Sequence, residues 1–479
     1  MPSRARRARS KPSTKPSRSP SARWTRPGPG NNYTREWRGA MRAQRWTRRA
    51  IVAQCAALSG GTLLAGCRGA PQPQAPGQPS RGPVKIVYWA FGGGGPLGDR
   101  LFRLPAEEYM KRVPNVTVEY TTVPSGEIQE KTLVAWSSDT GPDVVFDSSR
   151  MFIRFMDLDP FLDVTKDFAQ RKFKPADFYE TSLRFYQIDG KQLGLPQGWG
   201  TSVYGMNHDL FRSAGVPLTP GFDEHWTQDD LIAMLKQVVR YDAEGRMDPG
   251  GANEGIFLYW LWNYGADLLT ADQTKAAVNS PEGLAAAEWY TAAHQTHRVF
   301  MRPGIDLRQG FGFVQGNVAI EGNAGPFALN DWKDLQFNYD VALRPRGPKG
   351  RIHRMYIDGF VGWAKTKVRD AAVDFMFFLI DDGCAIMERN GGYNIPAYRK
   401  VVDEVFLPNP ARVTKRKWLQ AAEVSKTDPR HAKWIPDISG VYNKYTGEMR
   451  AGRMSPREAL GAMEQEINVI LTEYQRAKR

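Results

Sequence analysis

Near the start of its regularly patterned region, the chain alternates between short apolar strands and amphipathic helices, and this order limits the fold more than any other feature. Strands are predicted at Val84–Ala90, Val116–Tyr120 and Asp143–Asp147, with helices at Arg100–Arg112 and Ile128–Ser137 between them. Strands that alternate with helices form a parallel sheet covered on both faces. Ligands of such sheets bind beyond the carboxyl ends of the strands, here residues 89–95 and 147–149.

A second patterned region follows residue 190. A strand is predicted over Ser202–Asn207, and helices over 227–240, 256–264, 281–295 and 456–474. Thr227 with Asp230, and Ser280, are suitable helix N-caps. The length of the two regions together predicts two lobes or domains rather than one.

The formal charge of +14 originates in the N-terminal segment. Residues 1–66 hold 15 of the 65 Lys and Arg residues and one of the 51 Asp and Glu residues, so the rest of the chain is neutral. Nucleic-acid binding needs basic charge collected on the folded surface. We therefore expect no nucleic-acid partner.

Residues 41–66 have the three parts of an export signal, after an extension of residues 1–40 that is predicted to be disordered or untranslated. A basic stretch precedes the apolar segment 50–64, which is shorter than the roughly 20 residues that span a bilayer. The sequence Leu64-Ala65-Gly66-Cys67 resembles the bacterial lipobox, which implies a lipid on Cys67. Residues 67–83 then form a tether rich in Pro, Gln and Gly. We expect an exported protein, lipid-anchored on the extracytoplasmic side of a bacterial membrane, with either general or twin-arginine export.

Motifs for catalysis are absent from the sequence. It contains no Gly-x-Ser-x-Gly elbow, no phosphate-binding P-loop and no Cys-x-x-Cys pair, and Cys384 alone remains for the mature chain besides Cys67. His294 and His297 share a predicted helix but lack a carboxylate at ligand spacing. We expect no metal, no cofactor and no enzymatic activity, although the many Asp and Glu residues leave a glycosidase acid and base open.

Aromatic residues recur in turns beside Gly, Asn and Asp. The clusters are Trp89–Gly92, Gln197–Gly200, Trp260–Gly265, Tyr356–Gly359 and Asn390–Asn394. Flat rings stack on the C–H faces of sugars, while amides and carboxylates bind the hydroxyl groups. The alternative for each ring is a place in the core, which we expect for four others inside helix or strand patterns: Trp136, Trp289, Trp363 and Trp418.

An ordered series of short motifs resembles the extracellular solute-binding proteins of ABC importers, family 1, which includes maltodextrin-binding members. The series includes Val84–Trp89, Thr140–Val145, Gly190–Pro196, Tyr204–Asn207, Phe313–Ala319, Gly392–Ala397 and Ser455–Leu460. Together the motifs span almost all of residues 84–475.

The resemblance implies a two-lobed α/β fold of the type II periplasmic-binding-protein class, with a mostly parallel, helix-flanked sheet in each lobe and a ligand cleft between them. The N-terminal lobe is expected to comprise 84–199 and 360–407, and the C-terminal lobe 200–359 and 408–479. Crossovers are expected near Gly200–Val203, Gly359–Val361 and Phe406–Pro410. Ligand contacts to both lobes would favour closure, and the loaded monomer would dock on the permease subunits of an ABC importer.

The motif positions also imply which residues line the cleft. The candidates are Trp89, Phe91, Asp147, Ser148, Trp199, Tyr204, Trp260, Asn263, Asn323, Tyr356, Asp358 and Asn390. Sugar binders of the family commonly have a Trp at the position of Asn323, so a stacking ring is missing there unless Phe327 replaces it.

Three hypotheses follow. The first is a lipid-anchored receptor that delivers a sugar or oligosaccharide to an ABC importer. The second is the same scaffold with a polyol phosphate, a polyamine or a peptide as solute, and Arg150, Arg154 or Arg354 could hold an anion. The third is an exported glycosidase, which needs two carboxylates roughly 5–10 Å apart across the cleft.

Overall fold

The computed structural model describes residues 82–91 and 96–478. These residues belong to one compact unit that spans residues 79–479. The predicted export signal, Cys67 and most of the tether lie outside the described residues. Within the part of the chain that is described, no helix has the length and apolar character needed to cross a membrane.

The described chain contains both strands and helices over its whole length. The strands are β1 Val84–Phe91, β2 Val116–Val123, β3 Val144–Asp147, β4 Gln187–Ile188, β5 Lys191–Gln192, β6 Leu195–Thr201, β7 Val203–Asn207, β8 Gly250–Asn253, β9 Val318–Ala324, β10 Tyr339–Ala342, β11 His353–Gly362, β12 Ile395–Pro396 and β13 Ser425–Thr427. The helices are α1 Pro96–Arg112, α2 Ile128–Ser137, α3 Arg150–Phe155, α4 Thr165–Gln170, α5 Glu180–Phe185, α6 His208–Ser213, α7 Gln228–Val238, α8 Phe257–Asn263, α9 Pro281–Gln295, α10 Ala328–Trp332, α11 Arg369–Phe378, α12 Cys384–Arg389, α13 Arg399–Val401, α14 Arg416–Glu423, α15 Ser439–Arg450 and α16 Pro456–Lys478.

Seven strands form the larger sheet, in the order β12-β6-β11-β3-β1-β2, with β13 beside β11. Strand β1 pairs in parallel with both β2 and β3, which confirms the parallel arrangement predicted from the first alternating segment. Strand β11 is inserted antiparallel between β3 and β6. The carboxyl ends of β1, β2 and β3 therefore meet at one edge of the sheet, as ligand binding at this edge requires.

The smaller sheet has four strands in the order β10-β7-β9-β8. The chain enters it at Ser202, the single residue between β6 and β7. The return to the larger sheet occurs between Ala342 and His353, and the segment of the predicted crossover, Gly359–Val361, lies within β11. Strand β11 has ten residues, and its first half already pairs with β6 and β13. The lobe boundaries themselves stay a prediction.

Side-chain caps account for where two of the helices, α7 and α9, begin. The Thr227 side chain accepts a hydrogen bond from the Asp230 backbone, and the Asp230 carboxylate accepts one from the Thr227 backbone at 2.8 Å, which is a capping box at the start of α7. Ser280 caps α9 by accepting from Gly283 N at 3.0 Å, and α9 has the predicted bounds. These caps fix where the two helices begin.

Candidate functional site

A cavity of about 390 Å³ lies where strands of the two sheets meet. The larger sheet contributes Phe91 at the end of β1, Ser148 just after β3, and Tyr356 and Asp358 on β11. The smaller sheet contributes Asn323 on β9. A molecule in this cavity would contact side chains from both sheets at once.

Aromatic rings form much of the cavity wall. Its rings are Phe91, Phe185, Phe327, Tyr356, Tyr393 and Trp434. Phe327 is 37% exposed, and its ring centroid lies 6.4 Å from that of Tyr356. Exposed ring faces next to polar groups are suited to stacking on an apolar face of a ligand.

The loop after β3 is shaped by the carboxylate of Asp147. Its Oδ1 accepts from Met151 N at 3.1 Å and Phe152 N at 3.3 Å, and its Oδ2 accepts from the Tyr186 hydroxyl at 3.2 Å. Ser149 in this loop has φ of 60°, a conformation that is costly for a residue with a side chain. Asp147 thus holds Ser148 and Ser149 against the cavity while it stays buried beneath them.

Asp358 is the buried acid that faces the cavity. Its Oδ2 accepts from Asn394 Nδ2 at 2.7 Å. Burial raises the pKa of Asp358 to about 7, against the Asn394 hydrogen bond and the charge of Arg150, which lower it. Burial, with the nearby Asp358 carboxylate, also raises the pKa of Asp147 to about 7. Asp358 at the cavity and Asp147 below the adjacent loop are therefore two buried acids whose pKa values lie well above the ordinary value.

The Tyr356 hydroxyl lies between two glycines, Gly200 and Gly325. A Cβ at Gly200 on β6, or at Gly325 just after β9, would overlap the Tyr356 hydroxyl. This hydroxyl is buried and has no hydrogen-bond partner among the described residues, and the same is true of Asn394 Oδ1. Unpaired buried polar atoms cost roughly 1–3 kcal/mol each, which a bound ligand with complementary groups would offset.

The arginines near the cavity differ in their availability. Arg354 forms a bidentate ion pair with Asp428, with both N–O distances at 2.6 Å. Arg154 donates to Glu130 and does not line the cavity. Arg150 lines it and is exposed. Of these three arginines, Arg150 alone forms no ion pair with the described residues.

Five of the twelve predicted residues line the cavity: Phe91, Ser148, Asn323, Tyr356 and Asp358. Each of them lies near the end of a strand or on β11. That they bind a ligand stays a prediction.

The structure does not bring the other seven to the cavity. Trp89 lies earlier on β1 than Phe91 and packs half-buried against the core. Asp147 is buried below the loop, as described. Asn390 is occupied at the end of α12, where it donates to Ile386 O and accepts from Arg100, at 2.8 Å each.

The remaining four are core residues. Trp199 is fully buried on β6 with its ring edge-on to Tyr179, and Trp260 is fully buried against Trp289, with ring centroids 4.1 Å apart. Asn263 bonds the backbone of Tyr259 and Ile352.

The fourth of these, Tyr204, belongs to a buried ion-pair network under the smaller sheet. Its hydroxyl donates to Glu254 at 2.8 Å, and Glu254 also pairs with Arg344. The Arg344 guanidinium lies between the rings of Tyr204 and Tyr259, at 4.6 and 4.1 Å from their centroids. Tyr204 therefore donates a hydrogen bond to a buried charge pair and packs against it rather than facing the cavity.

Several cavity residues were not predicted. Tyr393 and Asn394 lie in the aromatic cluster 390–394, so the sequence indicated the right loop and the wrong residue within it. Gln129 and Trp434 carried no sequence signal, since one is on a helix and the other lies far along the chain. Trp136, Trp363 and Trp418 are buried, and Trp289 is half-buried, as expected for core rings.

Metal binding has no support among the described residues, where no group of three His, Cys, Asp or Glu side chains could hold an ion. His294 is buried with its Nδ1 bonded to Tyr290 O at 2.9 Å. Burial lowers the pKa of His294 to about 3.

Comparison with known proteins identifies the family. Residues 95–383 match the sequence profile of the family described as bacterial extracellular solute-binding protein. An arabinooligosaccharide-binding protein of Bacillus subtilis (strain 168) is 25% identical over 146 residues. The matched segment covers 28% of this chain and 31% of that relative.

Solved structures share the fold. An ABC substrate-binding protein of Listeria monocytogenes in complex with cycloalternan superposes with a TM-score of 0.69 at 21% identity, covering 81% of this chain and 99% of that chain. The cyclic alpha-maltosyl-1,6-maltose binding protein of Arthrobacter globiformis gives 0.68 at 21% identity, covering 82% and 100%. The sugar-binding protein MalE of Xanthomonas citri gives 0.69 at 19% identity, covering 82% and 98%.

These neighbours have the two-lobed α/β architecture that the two sheets of this chain form. The family match covers more than half of the chain, including the strands and loops that supply most of the cavity wall. The chain therefore belongs to the bacterial extracellular solute-binding protein family.

Proposed function

We propose that the protein is the receptor of an ABC importer that captures a sugar or oligosaccharide in the cavity between its lobes and delivers it to a membrane permease. The observation that carries the proposal is a cavity whose wall combines aromatic rings with unpaired buried polar atoms, Tyr356 Oη and Asn394 Oδ1. Rings match the C–H faces of a sugar, and the unpaired atoms match its hydroxyl groups. The sugar ligands named for the related proteins support the same class of solute.

Lobe closure is the proposed means of capture. Asn323 and Phe327 come from the smaller sheet and the segment after it, and Asp358 and Ser148 come from the larger sheet. A ligand that contacts both sets favours the closed state by its differential affinity for that state. The closed monomer would then dock on the permease subunits.

The anchoring and the location are proposed from the sequence. Cys67 follows a lipobox-like motif after a basic and an apolar stretch, so we propose a lipid anchor there and an extracytoplasmic location. The lobes are proposed to comprise 84–199 with 360–407 and 200–359 with 408–479.

Charged solutes fit the cavity less well than neutral ones. Arg354 is neutralised by Asp428, so an anion would have Arg150 alone as a free cation, beside the acid Asp358. A polyamine would be repelled by Arg150, and Asp358 would be the acid available to pair with it. The balance of one cation and one partly ionised acid favours an uncharged ligand.

A glycosidase mechanism is also disfavoured by the acids. Asp358 and Asp428 are the carboxylates that line the cavity, and Asp428 is engaged in its bidentate ion pair. A retaining or inverting enzyme needs a second carboxylate free to act as nucleophile or base. We therefore propose binding without a chemical step.

A thermal-shift screen tests the proposal. The purified protein is heated with mono- and oligosaccharides, and in parallel with polyamines, phosphorylated polyols and peptides, because a ligand that binds only the folded state raises the melting temperature. We expect a saturable rise with a carbohydrate and recovery of the unchanged ligand afterwards. A rise confined to charged solutes, or conversion of the carbohydrate to product, would contradict the proposal.

A further inference from the structure

A second cavity of about 320 Å³ lies beside the first, and nothing in the proposed function uses it. Its wall contains more positive charge than negative. One acid, Glu388 of α12, lines it together with four cations: Lys333, Arg389, Arg412 and Lys415. Even a fully ionised Glu388 would leave an excess of three positive charges around this space. A small anion is the ligand that such a charge balance favours.

The four cations share a second property. None of them forms an ion pair with a carboxylate in the described part of the chain. Lys417, two residues after Lys415, shows the opposite arrangement, because its Nζ lies 2.6 Å from a carboxylate oxygen of Asp223. Lys333 and Arg389 are exposed, and their side chains donate no hydrogen bond to the described residues. Their charges are therefore available to a ligand from solution.

Lys415 is the buried cation of this wall. It is 8% exposed, and its Nζ donates to Phe406 O at 2.5 Å and to Asn409 O at 2.7 Å. An ammonium group has three N–H donors, so one of them has no acceptor among the described residues. Two neutral carbonyl groups do not cancel the charge, and a buried charge without a counter-charge is costly. Burial accordingly lowers the pKa of Lys415.

Glu388 compensates the charge of Lys415 only in part. The two side chains act on each other's charge without an ion-pair contact. Burial raises the pKa of Glu388 in spite of the nearby ammonium, so this carboxyl group supplies less negative charge than an exposed glutamate would. An anion bound beside Lys415 would supply the charge that is missing.

Arg412 is held in a fixed position at the same wall. Its guanidinium donates to Leu335 O at 2.6 Å and to Phe337 O at 3.1 Å, and it lies 4.6 Å from the centroid of the Tyr339 ring. A guanidinium has five N–H donors, so three of them have no acceptor among the described residues. The side chain is therefore ordered before any ligand arrives, which lowers the entropy lost on binding.

We propose that the second cavity is a binding site for a small oxyanion of the phosphate or sulfate type, held by Lys415, Arg412, Lys333 and Arg389. Such an anion has several oxygens that can accept hydrogen bonds from ammonium and guanidinium groups at once. The inference goes beyond the proposed function and does not depend on which solute the first cavity binds. Lys333 follows α10 and Arg389 ends α12, so the bound anion would connect these two elements.

Titration calorimetry of the full-length protein with inorganic phosphate and with sulfate tests the inference, at an ionic strength kept constant with chloride. We expect one equivalent of either anion to bind saturably. The double variant Lys333→Gln with Arg389→Gln removes two exposed charges that make no contacts, so it should fold like the wild type and bind phosphate roughly tenfold or more weakly. Lys415→Met should weaken binding at least as much, and thermal melting checks that it folds.

Two further variants serve as controls. Lys236→Gln removes an exposed cation outside both cavities that has no ion pair among the described residues, and it should bind phosphate like the wild type. Arg150→Gln removes the corresponding cation of the first cavity, and phosphate affinity should stay within about twofold.

Three results would overturn the inference. They are a wild type without saturable binding of phosphate or sulfate, a folded double variant with wild-type phosphate affinity, and a loss of phosphate binding in Arg150→Gln, which would assign the anion to the first cavity. None of them concerns the carbohydrate. A wild type that binds phosphate and no carbohydrate would instead contradict the proposed function and leave the oxyanion site standing.

Discussion

At the residue scale, the cavity is distinguished by polar atoms that the fold leaves unpaired. Within the described part of the chain, Tyr356 Oη and Asn394 Oδ1 have no hydrogen-bond partner, whereas the neighbouring Asp147 has both carboxylate oxygens occupied. Asp147 at the end of β3 and Asp358 within β11 are the same residue type on adjacent strands, and their roles differ because Asp147 is covered by the loop it caps. This difference depends on the path of residues 148–152, which the sequence pattern does not encode.

The unpaired hydroxyl of Tyr356 leads to the first prediction. Tyr356→Phe removes a buried group without a partner, so we expect the free energy of unfolding to stay equal or to rise by up to about 1 kcal/mol. The same change removes a hydroxyl available to the ligand, so affinity for the carbohydrate should fall roughly three- to tenfold. Denaturant unfolding and titration calorimetry measure the two effects. Loss of stability together with unchanged affinity would show that the hydroxyl serves the fold and not the ligand.

The acid Asp358 leads to a prediction about pH. Its folded pKa of about 7 lies above the ordinary value of 3.8, so the folded state holds a proton that the unfolded state releases between these values. This contribution to stability is complete below about pH 4 and is lost as the pH rises through about 7. Asp358→Asn keeps the acceptor for Asn394 and cannot ionise. We therefore expect the variant to gain stability relative to the wild type as the pH rises from 4 to 7, and to keep the gain above 7.

Urea unfolding at a series of pH values measures this difference. Asp370→Asn, whose side chain is 98% exposed, serves as the control. A difference between Asp358→Asn and wild type that does not vary with pH would refute the assignment of a proton to Asp358 in the folded state.

At the element scale, strands and helices with strong periodicity were predictable. Helices α2 and α9 have the predicted bounds, and the parallel pairing of β1 with β2 and β3 follows from their order along the chain. The pairing of the long strand β11 could not be predicted, because its partners β3, β6 and β13 are distant in sequence and no local pattern specifies them. The local sequence also did not indicate which aromatic residues lie in the core and which line the cavity. Every ring of α8 is buried, while Phe327 is exposed.

The close contact between β6 and β11 leads to the third prediction. A methyl group at Gly200 would overlap the Tyr356 hydroxyl, so Gly200→Ala should destabilise the protein by about 1–3 kcal/mol and lower ligand affinity. Adding Tyr356→Leu should restore part of the stability, because the free-energy changes of substitutions at contacting residues are not additive.

The control for this double-mutant cycle is Gly461→Ala in α16. A Cβ at this position meets open space, so the variant should be more stable than the wild type by about 0.5–1 kcal/mol. Thermal and chemical unfolding of the single and double variants provides the comparison. Additive effects of Gly200→Ala and Tyr356→Leu would contradict the contact.

At the scale of the whole molecule, the chain passes from the larger to the smaller sheet at Ser202. The cavity is lined by residues of both sheets, so its walls come from different parts of the chain. The architecture was predictable because it follows from the order of elements and from the family motifs. Part of the lining was predictable, at the strand ends where Phe91 and Ser148 lie and at the motif positions Asn323, Tyr356 and Asp358. The remaining wall comes from segments as distant as 129 and 434. Their proximity is a property of the packed molecule.

Titration calorimetry with one change on each side of the cavity tests the central claim most directly. The wild type, Asp358→Ala from the larger sheet and Phe327→Ala from the segment after β9 are titrated with the carbohydrate that gives the largest thermal shift. Val134→Ala, on the exposed face of α2, is the control. We predict one-to-one binding by the wild type and the control, and a loss of affinity of roughly tenfold or more in each cavity variant. Carbohydrate binding that neither cavity variant weakens, or binding of charged solutes alone, would contradict a sugar receptor that holds its ligand between these two walls.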